Sequence, residues 1–375
     1  MKAHVLYVLP VLQPAGAERI VAELARRIPA HGFETSVVCL EDERAPVGAE
    51  LVAAGVPVRG LRLSRRKSMA CSKALGRILP EARPLIIHSH LFHANLAARM
   101  AVGRMSFARR QGIRTLSTVH VVERRFRPWQ FLADRLTARW AVGEVCVSQA
   151  VAKFQQAKTG LRPGFFAVIE NGIDTTRFEP RSVTNASRGQ HVVSVGRLDP
   201  QKDFPTLLRA WQGVCKLLPD ASLTIAGEGP SRGEFESLVR SLGLRNVQLP
   251  GFVNDVAALL RSADLYVQTS AWEGFGLAVV EAMCCGLPVI VTDVDSLPEI
   301  VQDGKTGVVV PKGASDILAA KMTMLLKDPD QARALGVAAR EEAVRRFSVE
   351  RMVADYASLY ETLLYGRTRG LSLRQ

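Results

Sequence analysis

The sequence predicts an α/β protein built from two doubly wound domains. Three observations carry that expectation. Short apolar runs alternate with amphipathic helical stretches along almost the whole chain, the pattern of parallel sheets covered on both faces. The 375 residues exceed what one compact core usually holds. The apolar rhythm breaks near the middle, over residues 175–187, a polar stretch that contains Pro180.

Taken in order, strands are expected at residues 5–9, 34–39, 85–88, 115–119, 144–147 and 166–169 in the first half. In the second half they are expected at 191–195, 222–226, 247–249, 265–268, 289–291 and 307–309. Helical periodicity fills the intervals, as at 17–28 and 149–156. The expected division is 1–178, then 179–350, then a C-terminal helix and tail over 351–375 that returns toward the first domain. The tail over 367–375 is basic. In open α/β sheets ligands bind at the carboxyl ends of strands, so motifs at those ends carry the most weight.

Composition narrows the class. No apolar run approaches the roughly 18 residues that a membrane span needs, and the first ten residues read as a buried strand rather than a signal segment. Cys39, Cys71, Cys146, Cys215, Cys284 and Cys285 follow neither a zinc spacing nor a disulfide framework, which suggests a reduced, cytoplasmic setting. Charge is lopsided. Residues 1–178 carry 27 Lys+Arg against 13 Asp+Glu, and residues 179–375 carry 22 against 23. The basic excess of the first half fits a polyanionic partner (phospholipid, a lipid-linked diphosphate or nucleic acid) or a plain solvated surface.

The sharpest motif is Glu273-Gly-Phe-Gly-Leu-Ala-Val-Val-Glu281, just past the strand at 265–268. Gly274 and Gly276 suit a loop where backbone approaches a ligand closely. A helix starting near Gly276 would present free amides and a positive dipole end to a diphosphate, which makes Phe275, Gly276 and Leu277 candidate contacts. Eight residues of helix rise about 12 Å, roughly the distance from sugar to ribose in a nucleotide sugar. Glu273 could then address the sugar and Glu281 the ribose; the bland alternative is one capping and one solvated glutamate. Gly196-Arg-Leu-Asp-Pro-Gln-Lys202 follows the first strand of the second half. Arg197 and Lys202 are fixed cations suited to a phosphate pair, or else members of a structural salt bridge. Gly16 opens the helix after strand one and either meets phosphate or simply turns the chain. His120 ends a strand and either donates to a sugar hydroxyl or is structural. Asn171-Gly172-Ile173-Asp174 reads as a hinge turn or a ligand contact. Gly227-Glu-Gly229-Pro-Ser-Arg-Gly233 is not the dinucleotide fingerprint, and its glycines suit backbone running past phosphate or base.

Together the Glu273–Glu281 block, Gly196-Arg197-Leu198 with Lys202, Gly227-Glu228-Gly229-Pro230 and Asn171–Asp174 resemble the family-4 retaining glycosyltransferases, across nearly the whole chain. The resemblance implies a GT-B fold: two Rossmann-like domains facing a central cleft, the first binding acceptor and the second binding the nucleotide sugar. It implies that Arg197 and Lys202 hold the donor diphosphate with Gly229 nearby, that Glu281 holds the ribose, and that Glu273 and His120 contact the transferred sugar. Gly16 would meet phosphate or sugar from across the cleft. It further implies retention of anomeric configuration without a metal ion or other cofactor. The chain departs from the family in two places. Asp295-Ser296 stands where many relatives have two glycines, and the first glycine loop has Gly16 alone after Ala15.

Other signals are set aside. Asp293-Val-Asp295 could suggest a metal site, but the Arg197/Lys202 pair already supplies the cations. His88-Ser-His90-Leu-Phe-His93 lacks the ligands of a zinc site and reads as strand-end residues lining an acceptor cleft. Residues 124–140 interleave Phe126, Trp129, Phe131, Leu132, Leu136 and Trp140 with five arginines. That segment is either a membrane-surface helix or a core helix with solvated arginines. The expected protein is a cytoplasmic enzyme, peripheral on the inner membrane face. It moves a sugar from a nucleotide diphosphate donor, expected to be a UDP-sugar, to a lipid-linked or saccharide acceptor. A UDP-N-acetylglucosamine 2-epimerase of the same fold and a catalytically silent nucleotide-sugar binder are the rivals. No nucleic-acid recognition motif occurs.

Overall fold

In the computed structural model the described residues are 2–82, 84–106, 112–181 and 190–366. The basic tail at 367–375 and part of the break at 175–187 lie outside them. The chain divides into two units: Met1–Gly172 with Val349–Gln375, and Ile173–Ser348.

The strands of unit 1 are β1 (Ala3–Leu9), β2 (Phe33–Cys39), β3 (Val58–Gly60), β4 (Ile86–His90), β5 (Arg114–Val119), β6 (Gly143–Cys146) and β7 (Phe166–Val168). They form one sheet in the order β3-β2-β1-β4-β5-β6-β7, parallel throughout. Its helices are α1 (Gly16–Arg27), α2 (Pro46–Ala53), α3 (Ser68–Ala82), α4 (Phe92–Gly103), α5 (Pro128–Thr137) and α6 (Gln149–Thr159). Val5, Leu6, Val8 and Leu9 of β1 are all buried, as a parallel strand covered on both faces requires. The short edge strand β3 has no such apolar run, because it is only half-buried, and the hydrophobic pattern misses it.

Unit 2 contains β8 (His191–Val195), β9 (Ser222–Ala226), β10 (Val247–Gly251), β11 (Leu265–Gln268), β12 (Val289–Thr292) and β13 (Val308–Val310), ordered β10-β9-β8-β11-β12-β13 and again all parallel. Its helices are α7 (Phe204–Leu217), α8 (Arg232–Ser241), α9 (Val256–Arg261), α10 (Leu277–Cys284), α11 (Leu297–Ile300), α12 (Ser315–Lys327) and α13 (Pro329–Arg346). Trp211 and Phe204 of α7 pack with Val267, Ile290 and Leu318 in the core of this unit. The last helix, α14 (Val349–Tyr365), belongs to unit 1. Its Tyr360 hydroxyl lies 2.6 Å from His88 Nδ1 and 3.1 Å from the Tyr7 hydroxyl. Arg114 Nε donates to the Leu363 carbonyl at 3.1 Å.

In each sheet the strand order reverses once, between β1 and β4 and between β8 and β11. Loops leaving those strands diverge and open a crevice at the carboxyl edge of the sheet. The segments singled out in unit 2, 196–202 and 269–276, are the loops that leave β8 and β11.

Candidate functional site

The two loops of unit 2 are laced together by their backbones. The Ala271 amide donates to the Gln201 carbonyl at 2.7 Å, Gln201 Nε2 to the Trp272 carbonyl at 3.2 Å, and Thr269 Oγ1 to the Lys202 carbonyl at 3.0 Å. Residues 200–202 form a single tight helical turn, capped by Asp199, whose Oδ1 accepts from the Gln201 amide at 3.0 Å. This turn sets Lys202 so that its Nζ donates to Glu273 Oε2 at 2.5 Å. Gly196 lies beneath it, and a Cβ there would crowd the lysine stem at 3.0 Å.

Glu273 is buried and its Oε2 gathers further donors: Ser270 Oγ at 3.0 Å and Gln268 Nε2 at 3.5 Å. Gln268 Oε1 accepts from the Tyr266 hydroxyl at 2.6 Å. A buried carboxylate needs such partners, since an unpaired one would be driven to neutrality. Burial raises the Tyr266 hydroxyl well above its ordinary range, and the Glu281 and Glu273 carboxylates add to that rise. One buried hydroxyl therefore feels both glutamates of the motif. Arg197 keeps two-thirds of its side chain exposed, with Nε 3.7 Å from Asp199 Oδ2.

Gly276 takes the left-handed conformation, φ +83°, and caps α10, its carbonyl accepting from the Val279 and Val280 amides, so the Leu277 and Ala278 amides at the helix start have no acceptor within the helix. Leu277, Ala278 and Glu281 are half-buried along one stripe of α10, whereas Val279, Val280, Ala282 and Met283 are buried. Unit 2 thus brings Arg197, Lys202, Glu273, Gly276, Leu277 and Glu281 to one edge. The Phe275 ring is buried edge-on against Phe347 at 5.6 Å, so only its backbone is available to a ligand. Gly229 has a packing reason of its own: a Cβ there would lie 2.2 Å from the Leu198 carbonyl oxygen. Gly227 is likewise pressed on Gly196. Gly227 and Gly229 let the loop lie on residues 196–198, a packing role that explains both.

In unit 1, Gly16 is the first residue of α1. Two residues on, burial pushes the Glu18 carboxyl up to about 7. His120 is buried with Nε2 2.9 Å from His90 Nδ1, and burial brings it down to about 4. At neutral pH it is an uncharged hydrogen-bonding group. His88 and His90, expected at an acceptor surface, are instead fully buried. Their i, i+2 spacing puts both on one face of β4, where His88 bonds Tyr360 and Thr118. Asn171 is also buried.

The 124–140 segment divides into an inward and an outward set of side chains. Residues 124–127 form a turn, and α5 starts at Pro128 with Gln130 Oε1 accepting from the Arg127 amide at 3.0 Å. Phe126 and Phe131 pack inward on Phe92 and Phe154. Trp129, Leu132 and Leu136, at i, i+3 and i+7, are 54, 55 and 57% exposed. Arg124, Arg125, Arg127, Arg135 and Arg139 are exposed around them. The residues gripping Glu273 are Gln268, Ser270, Asp295 and Ser296. All are short polar side chains, and only the Asp295-Ser296 departure marked any of them.

Two parallel Rossmann-like sheets of this kind define a GT-B glycosyltransferase. The chain belongs to the family-4 glycosyltransferases. A model of Glycosyltransferase Family 4 matches residues 14–177 and one of Glycosyl transferases group 1 matches residues 176–342. Phosphatidyl-myo-inositol mannosyltransferase of Mycobacterium leprae is 29% identical over 366 residues, 93% of this chain and 94% of that protein. N-acetyl-alpha-D-glucosaminyl L-malate synthase of Bacillus anthracis is 37% identical over 146 residues, 39% of this chain and 38% of that protein. Among solved structures, Anabaena HepE in complex with UDP superposes with a TM-score of 0.83 at 23% identity, covering 96% of this chain and all of that one. No helix among the described residues is long and apolar enough to cross a membrane.

Proposed function

We propose that this glycosyltransferase uses a UDP-sugar, transfers the sugar with retention and without a metal ion, and serves a lipid-linked or saccharide acceptor at a membrane surface. The observation that carries the reading is the Lys202–Glu273 pair, set beside the exposed Arg197 and the start of α10. As the bond to the sugar breaks, negative charge gathers on the leaving diphosphate. Two cations and a helix N-terminus stabilise that charge in fixed positions. Glu281, one turn into α10, accepts from ribose hydroxyls, and Glu273, paired with Lys202, accepts from a sugar hydroxyl. Neutral His120 serves as a hydrogen-bond partner of the sugar and carries no nucleophile role. Gly16 and the start of α1 offer a second set of amides. HepE is described with UDP and the mycobacterial relative acts on phosphatidyl-myo-inositol, which supports the donor and a lipid acceptor. Both matched families are glycosyltransferases, so the 2-epimerase reading is not kept.

Unit 1 takes the acceptor, and α5 lays Trp129, Leu132 and Leu136 into an anionic bilayer of the cytoplasmic face while its arginines meet the headgroups. A thermal-shift screen over nucleotide sugars tests the donor: a true donor at 100 times its Kd stabilises the fold by about 2.7 kcal/mol. Stabilisation by GDP-sugars but not UDP-sugars would overturn the UDP assignment. Product anomer analysis by NMR decides retention, and undiminished turnover in EDTA is expected.

A further inference from the structure

We infer that Asp295 and Ser296 are positioning residues for Glu273, holding its peptide from both sides so that its carboxylate stays at the sugar position. Both lie on the loop between β12 and α11. Asp295 Oδ2 accepts from the Glu273 amide at 3.1 Å, and Ser296 Oγ donates to the Glu273 carbonyl at 3.2 Å. Two adjacent side chains therefore fix the donor and the acceptor of a single residue. The side chain of that residue is fixed independently by Lys202, Ser270 and Gln268.

Asp295 makes this contact from an unfavourable backbone. It sits at φ +43°, the left-handed region that favours glycine and that other residues occupy at a cost. A glycine would relax there but would leave the Glu273 amide without this acceptor. Ser296 is completely buried, so its hydroxyl has no water to choose instead of the Glu273 carbonyl. The strain is tolerated where the chain gains a fixed loop beside its paired Lys202. In transfer reactions a misplacement of about 1 Å can cost on the order of 100-fold in rate, so a device that removes freedom from Glu273 acts on turnover. The inference rests on the proposed contact of Glu273 with the sugar, but the geometric part stands without it.

Two measurements on the full chain separate the parts. Amide exchange of the ligand-free protein reads the geometry. Asp295→Gly should raise the exchange rate at the Glu273 amide about 10-fold or more, and Asp295→Asn, which keeps an acceptor oxygen, should leave it near wild type. Because glycine is at ease at this φ, Asp295→Gly should melt no lower than wild type. Turnover is read as UDP release from UDP-glucose. The expected result is a fall in kcat of about 10- to 100-fold in Asp295→Gly, with little change in KM, rescue in Asp295→Asn, and a smaller fall in Ser296→Ala. Unchanged Glu273 exchange in Asp295→Gly overturns the inference, as does an Asp295→Asn variant as slow as Asp295→Gly. If Glu273→Gln turns over its UDP-sugar normally, or if no UDP-sugar is a donor for the wild type, the functional reading fails instead. Exchange then still decides whether Asp295 holds the loop.

Discussion

The two units share one plan, a parallel sheet whose strand order reverses once, yet they put their buried polar groups in different places. In unit 2 the polar chain of Tyr266, Gln268, Ser270, Glu273 and Lys202 runs outward from the end of β11 into the loops. It ends at the sheet edge, where Arg197 and α10 are half-buried or exposed. In unit 1 the polar groups lie within the strands. His88 and His90 occupy β4, Ser117 and Thr118 occupy β5 and Glu144 occupies β6, and all are fully buried. Two of these clusters are closed by helices: Tyr360 of α14 on His88, and Arg99 of α4 on Asp134, Glu144 and Ser117. The contrast teaches where to look for chemistry. A polar network that climbs out of a sheet at its carboxyl end is placed to meet a ligand, whereas one enclosed among strands and helices holds the fold.

The largest effect that tests this contrast is on turnover. Replacing both Arg197 and Lys202 by alanine should lower kcat by about 1,000-fold or more, since each fixed cation facing developing charge is worth roughly 10²–10³. The melting temperature should change far less than the rate, although Lys202→Ala alone leaves Glu273 with neutral donors only. Kinetics that survive the double substitution would break the assignment of unit 2 as the donor unit.

The counterpart in unit 1 should act on stability. Arg99 Nη1 lies 2.5 Å from Asp134 Oδ1, its Nη2 also contacts Glu144, and Gln155 Nε2 holds Asp134 Oδ2 at 3.1 Å. Arg99→Met leaves two buried carboxyls without their cation. The expected loss is about 3–5 kcal/mol, read by chemical denaturation. Where the variant remains folded at low temperature, UDP affinity should match wild type. A stable variant with impaired UDP binding would reverse the roles assigned to the two clusters.

His120 gives a smaller and pH-dependent effect. Its folded value of about 4 lies below the ordinary histidine value, so the unfolded chain takes up the proton first as pH falls. The neutral, buried ring therefore contributes stability above pH 6.5 that is lost on acidification toward pH 4. Glu18, which burial raises to about 7, and Glu144, which burial and the Asp134 carboxylate raise, have the opposite sign: their contribution is lost as pH rises above the ordinary carboxylate range. Comparison with His120→Asn cancels the carboxyls. Between pH 6.5 and 4.5 wild type should lose about 2–3 kcal/mol more than the variant, at about 1.4 kcal/mol per pH unit. Parallel stability curves would mean that His120 titrates normally.

Most of the architecture was legible because burial on both faces of a parallel sheet leaves a strong apolar signature. Every strand of unit 2 and all but β3 of unit 1 carried it. Glu273, Arg197 and Lys202 stood out because charged residues grouped just past strand ends, two of them beside glycines, are unusual. Gln268, Ser270, Tyr266 and His90 were not, because a buried polar side chain in a strand looks in sequence like any polar residue facing solvent. Its meaning depends on what it meets once folded, whether a residue 2 to 5 positions away, as for Tyr266, Gln268 and Ser270, or one 30 positions away, as for His90 and His120. The aromatic segment 124–140 divided in two for a related reason. Helical pitch turns Phe131 about 160° from Trp129 and about 100° from Leu132, and composition alone averages over those angles.

That outward stripe supplies the smallest of the expected effects and the one that completes the comparison, since unit 2 carries no basic excess. Trp129→Glu with Leu132→Glu exchanges two half-exposed apolar groups for charges that anionic headgroups repel. Each side chain is already more than half in water, so folding should shift by less than about 0.5 kcal/mol, and UDP binding in unit 2 should be unchanged. Cosedimentation with vesicles containing one-third phosphatidylglycerol should fall about 10-fold, an effect of about 1.4 kcal/mol. Phosphatidylcholine vesicles should retain little of either protein. Equal sedimentation of variant and wild type would leave the arginines as a solvated surface and remove the membrane from the function of unit 1.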